Sequence, residues 1–133
     1  MREILFKAKR KDNDKWVEGY YLNVAKINHF ICTGKIKLDG ALKGIIAPEM
    51  YAIDATTLCQ FTGLTDKNGE KIWENDILEL LDEDGYFVCE WEEDTARFVM
   101  NGDEIIVDFD NYWGYQVEVI GNIFDNEELL EVE

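Results

Sequence analysis

The apolar and polar positions along the chain read as short strands joined by turns. Ile4, Phe6 and Ala8 alternate with Leu5, Lys7 and Lys9, a period of two with one partly polar face. Asp12-Asn13-Asp14 is a turn cluster. Trp16 to Tyr21 resumes the extended pattern, with Gly19 inside it as a bulge candidate. These segments predict an opening hairpin. Residues 22–50 are less regular. Val24 and Ile27 stand at a helical spacing, Phe30-Ile31-Cys32 is strand-like, and Gly34, Gly40, Gly44 and Pro48 interrupt the rest. A long irregular connection is expected there, of the kind that carries function or subunit contacts.

Met50 to Asp54 and Leu58 to Phe61 read as further strands, followed by a polar turn from Thr62 to Gly69. Asp76 to Leu81 and Tyr86 to Trp91 flank Asp82-Glu83-Asp84-Gly85, a hairpin signature. Arg97 to Met100 and Glu104 to Val107 flank Asn101-Gly102-Asp103, where Asn-Gly predicts a type I′ turn with two positive φ angles. Gln116 to Ile120 is a last strand. Asp125 or Asn126 then caps a short helix, Glu127 to Val132, with acidic residues in its first turn. Eight or nine short strands and one terminal helix predict a mainly β fold, a small β-barrel-like domain. The length of 133 residues fits a single domain, 1–133.

Charge divides that domain. The net charge is −16. Residues 1–50 carry ten Lys/Arg against six Asp/Glu, whereas residues 51–133 carry three against twenty-three. A uniformly basic nucleic-acid surface is excluded. Apolar residues at 47% exclude a disordered chain. No apolar run reaches the roughly 18–20 residues of a membrane span, and the charged start, Met1-Arg2-Glu3, lacks a signal-peptide core. A cytoplasmic protein without membrane contact is expected. Cys32, Cys59 and Cys89 are widely spaced and fit structural thiols of a reducing compartment.

Candidate chemistry is sparse. Serine is absent and His29 is the single histidine, so the common nucleophile–base pairs have few members to draw on. The acidic clusters Asp82/Glu83/Asp84, Glu90/Glu92/Glu93/Asp94 and Asp108/Asp110 are explained by turns and solvated strand faces. Asp66-Lys67-Asn68-Gly69-Glu70 fails as an EF-hand, because its glycine falls at loop position four and Ile77 would occupy position twelve. No glycine-rich phosphate loop is present. No catalytic, cofactor or metal residues are expected. Lys7, Lys9, Arg10, Lys11 and Trp16 form a basic, aromatic hairpin. It could hold a nucleic-acid strand, meet the acidic part of a second copy, or serve as a lysine-protected edge; the last is favoured.

One segment is distinctive. Gln60-Phe61-Thr62-Gly63-Leu64-Thr65-Asp66-Lys67-Asn68-Gly69, followed by Ile72-Trp73-Glu74-Asn75-Asp76-Ile77, resembles the hallmark Q-x-T-G-L-x-D-K-N-G-x-x-I-x-E-G-D-I of the YopX family of phage and prophage proteins. The opening Arg2-Glu3-Ile4-Leu5-Phe6-Lys7-Ala8 and the close Val119-Ile120-Gly121-Asn122-Ile123-Phe124-Asp125-Asn126 resemble that family's ends. Asn75 stands where the family has glycine, and asparagine also tolerates positive φ. The resemblance implies a mainly β cytoplasmic protein of a bacterial host, without established activity, cofactor or catalytic residues, that self-associates. The expected function is therefore a non-enzymatic accessory role through self-association and contact with a host or phage protein. The alternatives are nucleic-acid binding by the basic hairpin and an acidic DNA-mimicking decoy for a host protein.

Overall fold

The structure is a computed structural model and describes residues 4–39, 45–103, 105–109 and 116–130. The chain divides between Gln60 and Phe61 into two compact units, each with its own buried cluster. The mainly β expectation holds, with ten strands among the described residues. They form two five-stranded sheets rather than one barrel.

The first unit is built from β1 (Phe6–Arg10), β2 (Trp16–Val24), β3 (Asn28–Asp39) and most of β4 (Ile45–Thr65). β1 pairs antiparallel with β2, setting Phe6 opposite Gly19, and with β4, setting Phe6 opposite Gln60. β2 pairs with β3 and β3 with β4, so the four pairings close a cycle. Period-two alternation selects the core: Ala8, Ile31 and Ile53 are fully buried, with Phe6, Val17, Tyr21 and Leu58 against them.

Residues 22–50 correct the expectation of an irregular connection. Where described, they are the end of β2, all of β3 and the start of β4, plus one tight turn; Gly40 and Gly44 lie outside the described residues. Gly34, at φ +84°, sits within a register shift between Cys32 and Ile36, so it bulges β3 without ending it. Pro48 lies opposite Ile36, while β1 joins β4 only from Ile53 onward, so the missing N–H falls outside the doubly paired stretch. The β2–β3 turn is held by Ala25 at φ +57° and Lys26 at +64°, with the Ile27 N–H donating to the Val24 carbonyl. This backbone favours Asn-Gly. Replacing Ala25-Lys26 by Asn-Gly is expected to raise stability by about 1 kcal/mol, by relieving two left-handed residues. Chemical denaturation reads the change, and a midpoint that stays put or falls would contradict the turn geometry.

The second unit holds β5 (Lys71–Trp73), β6 (Asp76–Leu80), β7 (Tyr86–Glu92), β8 (Arg97–Asn101), β9 (Ile106–Asp108) and β10 (Val117–Asn122). β5 pairs with the end of β4, Phe61 facing Trp73. The others form an antiparallel sheet in the order β10-β6-β7-β8-β9. Its inner face buries Leu78, Leu80, Phe87, Cys89, Met100, Val107 and Val117 with Ile72. Glu79, Glu90, Glu92, Asp108 and Glu118 alternate onto the other face.

Two turn expectations change. Neither Asn101 nor Gly102 has positive φ, so the Asn-Gly turn is not type I′. Asn101 pairs with Ile106 across a longer loop, and the Gly102 N–H donates to the Ile105 carbonyl at 2.8 Å. Glycine is needed there because a Cβ would stand 2.6 Å from the Phe87 ring. The expected helix from Glu127 is a single 3-10 turn, Glu127–Leu130; residues 131–133 lie outside the described residues. Asn126 stands at its N-terminal end, its carbonyl accepting the Leu129 N–H at 3.0 Å, but its side-chain oxygen turns back to accept the Asn122 N–H at 3.2 Å instead of a donor of the turn. No helix among the described residues is long and apolar enough to cross a membrane.

Candidate functional site

The hallmark residues converge on a backbone-binding knot in the second unit. Gly63 at φ +88° and Gly69 at +79° take conformations that other residues rarely adopt. Between them, Thr62 Oγ1 donates to the Ile72 carbonyl at 2.7 Å and accepts from the Leu64 N–H at 3.1 Å. Asp66 is only 5% exposed, and its carboxylate is fully engaged. Oδ1 accepts the N–H groups of Asn68 and Glu70, both at 2.9 Å, and Oδ2 accepts the Val119 N–H of β10 at 2.9 Å. Burial pushes the Asp66 carboxyl upward, but these three N–H donors outweigh it and hold the group below the ordinary carboxylate value. The Lys67 N–H reaches the Val117 carbonyl, and its ammonium lies 3.2 Å from Glu118. Asn68 Nδ2 makes a longer contact with Glu118, 3.4 Å.

The second half of the motif repeats this chemistry. Buried Asp76 accepts the Trp73 N–H at 2.8 Å and closes the β5–β6 turn. Asn75 supplies that turn with φ +72°, the conformation anticipated for the residue replacing the family's glycine. Its N–H donates to the Cys89 carbonyl at 2.7 Å, and its carbonyl accepts from Ile123. At the close, Asn122 Oδ1 accepts the N–H groups of Phe124 and Asp125, both at 3.0 Å. A Cβ at Gly121 would stand 2.4 Å from Asn126 Oδ1, so the Asn126 side chain would have to shift from its place against the Asn122 N–H. Of the remaining hallmark residues, Gln60 sits in β4 opposite Phe6, Glu74 is half-buried in the β5–β6 turn, and Leu64 is exposed. Asp66 and Asp76 thus act as acceptors for the backbone.

β1 and β2 pair as a hairpin, and the basic residues it carries are heavily engaged. Lys7 and Lys9 share a face of β1, and their ammonium groups lie 4.6 and 5.5 Å from the centroid of the Trp16 ring. The ring that a base would stack on already carries two cations. Arg10 forks onto Asp12, with Nε 2.9 Å from Oδ1, and its guanidinium lies 3.8 Å from the Tyr51 ring. Lys9 stands opposite Asp54 in register. The Thr56 hydroxyl and N–H, then Lys11 and Lys9, hold the Asp54 carboxylate below its ordinary range.

The acidic clusters, where described, lie on turns and on the outer sheet face. Glu90 accepts from Asn101 Nδ2 at 2.9 Å, and Asp108 pairs with Arg97 at 2.9 Å; Asp110 lies outside the described residues. Among the described residues no three metal-ligating side chains converge. His29 Nδ1 lies 2.6 Å from the Tyr21 hydroxyl, and Cys59 and Cys89 are buried thiols.

One surface escaped the sequence reading. The register places Tyr20, Cys32 and Met50 in one row across β2, β3 and β4, and Leu22, Phe30 and Ala52 in the next. Val24 extends the face along β2. Tyr20 is 52% exposed, Leu22 42%, Val24 50% and Met50 37%. The opposite row, Tyr21, Ile31 and Tyr51, includes the fully buried Ile31, so it is the outer face of these strands that is left apolar and open. The period-two run Tyr20, Leu22, Val24 was its signal, hidden because Tyr21 is apolar too.

The family model described as YopX protein matches residues 5–131. No curated protein matches. Among solved structures, the chain is similar to the crystal structure of protein EF1440 from Enterococcus faecalis. The TM-score is 0.64 at 23% identity, covering 98% of this chain and all of that one, a likeness of fold. With the hallmark knot intact and the family model spanning nearly its whole length, this chain belongs to the YopX protein family.

Proposed function

We propose that this YopX-family chain is a non-enzymatic phage or prophage accessory protein of the bacterial cytoplasm that works by self-association. The observation that carries the reading is the outer face of β2–β3–β4, two rows of apolar side chains flanked by Val24, with Tyr20, Leu22, Val24 and Met50 exposed and Phe30 and Cys32 half-buried between them. Contiguous exposed apolar surface of this kind marks an interaction site. The occupant is a second copy. Residues 1–50, which supply most of the face, are only mildly basic, so two such faces meet with much less like-charge repulsion than the acidic remainder would impose. The uncharged rows form the centre of the contact, with Lys26, Asn28 and Lys35 at a polar rim. The hallmark carboxylates support a non-catalytic reading, since both bind backbone N–H groups.

Light scattering during size-exclusion chromatography tests this. The wild-type chain is expected to run as a multiple of 15.5 kDa. Leu22→Lys, on an exposed strand position, is expected to run at the monomer mass with an unchanged circular dichroism spectrum. A wild type that stays monomeric, or a Leu22→Lys variant that keeps the larger mass, would refute the proposal.

A further inference from the structure

A second surface lies in the other unit, far along the chain from the apolar face, and shares no residue with it. Between the outer face of β7–β8 and the terminal 3-10 turn runs a cleft of about 650 Å³. That is within the range of ligand-binding clefts, roughly 300–1,000 Å³. Its apolar walls are Tyr86 and Val88 on one side and Leu129 and Leu130 on the other. Tyr86 and Leu130 are each 39% exposed, so the walls are open to an incoming group. Among the described residues its lining holds two charged groups, both carboxylates, Asp84 from the β6–β7 turn and Asp103 from the β8–β9 loop, and no cation. Asn101 is also in the lining, its side-chain amide donating to Glu90.

We infer that this cleft binds an arginine or lysine side chain presented by a partly apolar peptide segment of another protein. The chemistry of the walls selects that class. The aliphatic stem of a basic side chain covers Val88 and the leucines, while its head group lies over the Tyr86 ring and between the two carboxylates. An acidic peptide is repelled by the same pair of carboxylates. A purely apolar segment leaves both carboxylates partly desolvated and without a partner. The chain's own basic hairpin is a poor occupant, because Arg10 is held by Asp12 and the ammonium groups of Lys7 and Lys9 lie over Trp16.

The test is fluorescence anisotropy with a labelled peptide of alternating arginine and leucine, and the same peptide with citrulline in place of arginine. Saturable binding of the arginine peptide is expected. Asp84→Asn with Asp103→Asn is expected to weaken it by about tenfold or more. Glu93→Gln with Asp94→Asn removes the same charge from the β7–β8 turn, outside the cleft, and is expected to change it by less than about twofold. Hydrogen exchange on the unaltered chain gives a reading that needs no variant: the peptide is expected to add protection at 84–88 and 127–130. Equal weakening in both double variants would mean general attraction to an acidic chain and would overturn the inference. So would equal binding of the citrulline peptide, or protection elsewhere. Loss of self-association in the Asp84/Asp103 variant without peptide binding would assign the cleft to a second copy and would also overturn it.

Discussion

Asp66→Ala is expected to lower the unfolding free energy by about 3 kcal/mol or more. The carboxylate accepts three backbone N–H groups, from Asn68, Glu70 and Val119, inside a site that is 5% exposed. Each donor left without an acceptor costs about 1–3 kcal/mol, and partial opening of the loop to water recovers some of that sum. The bond to Val119 also ties the glycine loop to β10, so its loss frees two segments that are distant in sequence. Asp66→Asn should lose less. One amide oxygen can still serve Asn68 and Glu70, but an NH₂ then confronts the Val119 N–H. Urea denaturation orders the three proteins as wild type, Asn, Ala. An Asp66→Ala midpoint at the wild-type value would remove the knot as an explanation of the hallmark.

The same carboxylate gives a pH dependence whose sign is fixed. Its folded-state value lies below the ordinary 3.8, so its contribution is present above that value and is lost as pH falls through the folded one. The stability gap between wild type and Asp66→Asn should therefore be constant near neutrality and close in acid.

Gly19→Ala is the second large effect, and it should act on the first unit. A Cβ at residue 19 would stand 2.1 Å from the Cys32 carbonyl oxygen, 2.8 Å from its carbon and 3.0 Å from the Thr33 Cα. All three are backbone atoms of β3, so no side chain can rotate out of the way. β2 and β3 must separate, and β2 is also held by β1, where Gly19 faces Phe6. Overpacking of this sort costs about 3 kcal/mol or more when the obstacle cannot move. Hydrogen exchange should show the greatest loss of protection in peptides from residues 4–60. Unchanged protection there would mean that the strands are not so closely apposed.

Much of this architecture is legible in the chain because local and tertiary preferences agree. Asp12-Asn13-Asp14 and Asp82 to Gly85 announce their hairpins, and alternation sets Phe6 and Ala8 on the face that packs inward. Asn75 takes the left-handed conformation inferred from its place in the motif. The failures have physical causes. Ala25 and Lys26 form a hairpin turn without the residues that signal one, so β2 and β3 had no visible joint. Gly34 and Pro48 look like breakers, yet a bulge and a singly paired stretch absorb them. Gly102 was assigned to a turn by its neighbour Asn101, whereas the constraint comes from the Phe87 ring, which no local pattern displays. The hallmark was recognisable from its residues, but the partner of Asp66 lies 53 residues away at Val119. The apolar face could be seen only after the register aligned Tyr20 with Cys32 and Met50.

Hydroxyl-radical footprinting at rising protein concentration tests the self-association surface most directly. Tyr20, Leu22 and Met50 should lose reactivity together as copies associate, while Trp91, equally open on the other sheet, should keep its own. Constant reactivity of the three, or protection appearing first at Trp91, would contradict the assignment of β2–β3–β4 as the contact between copies.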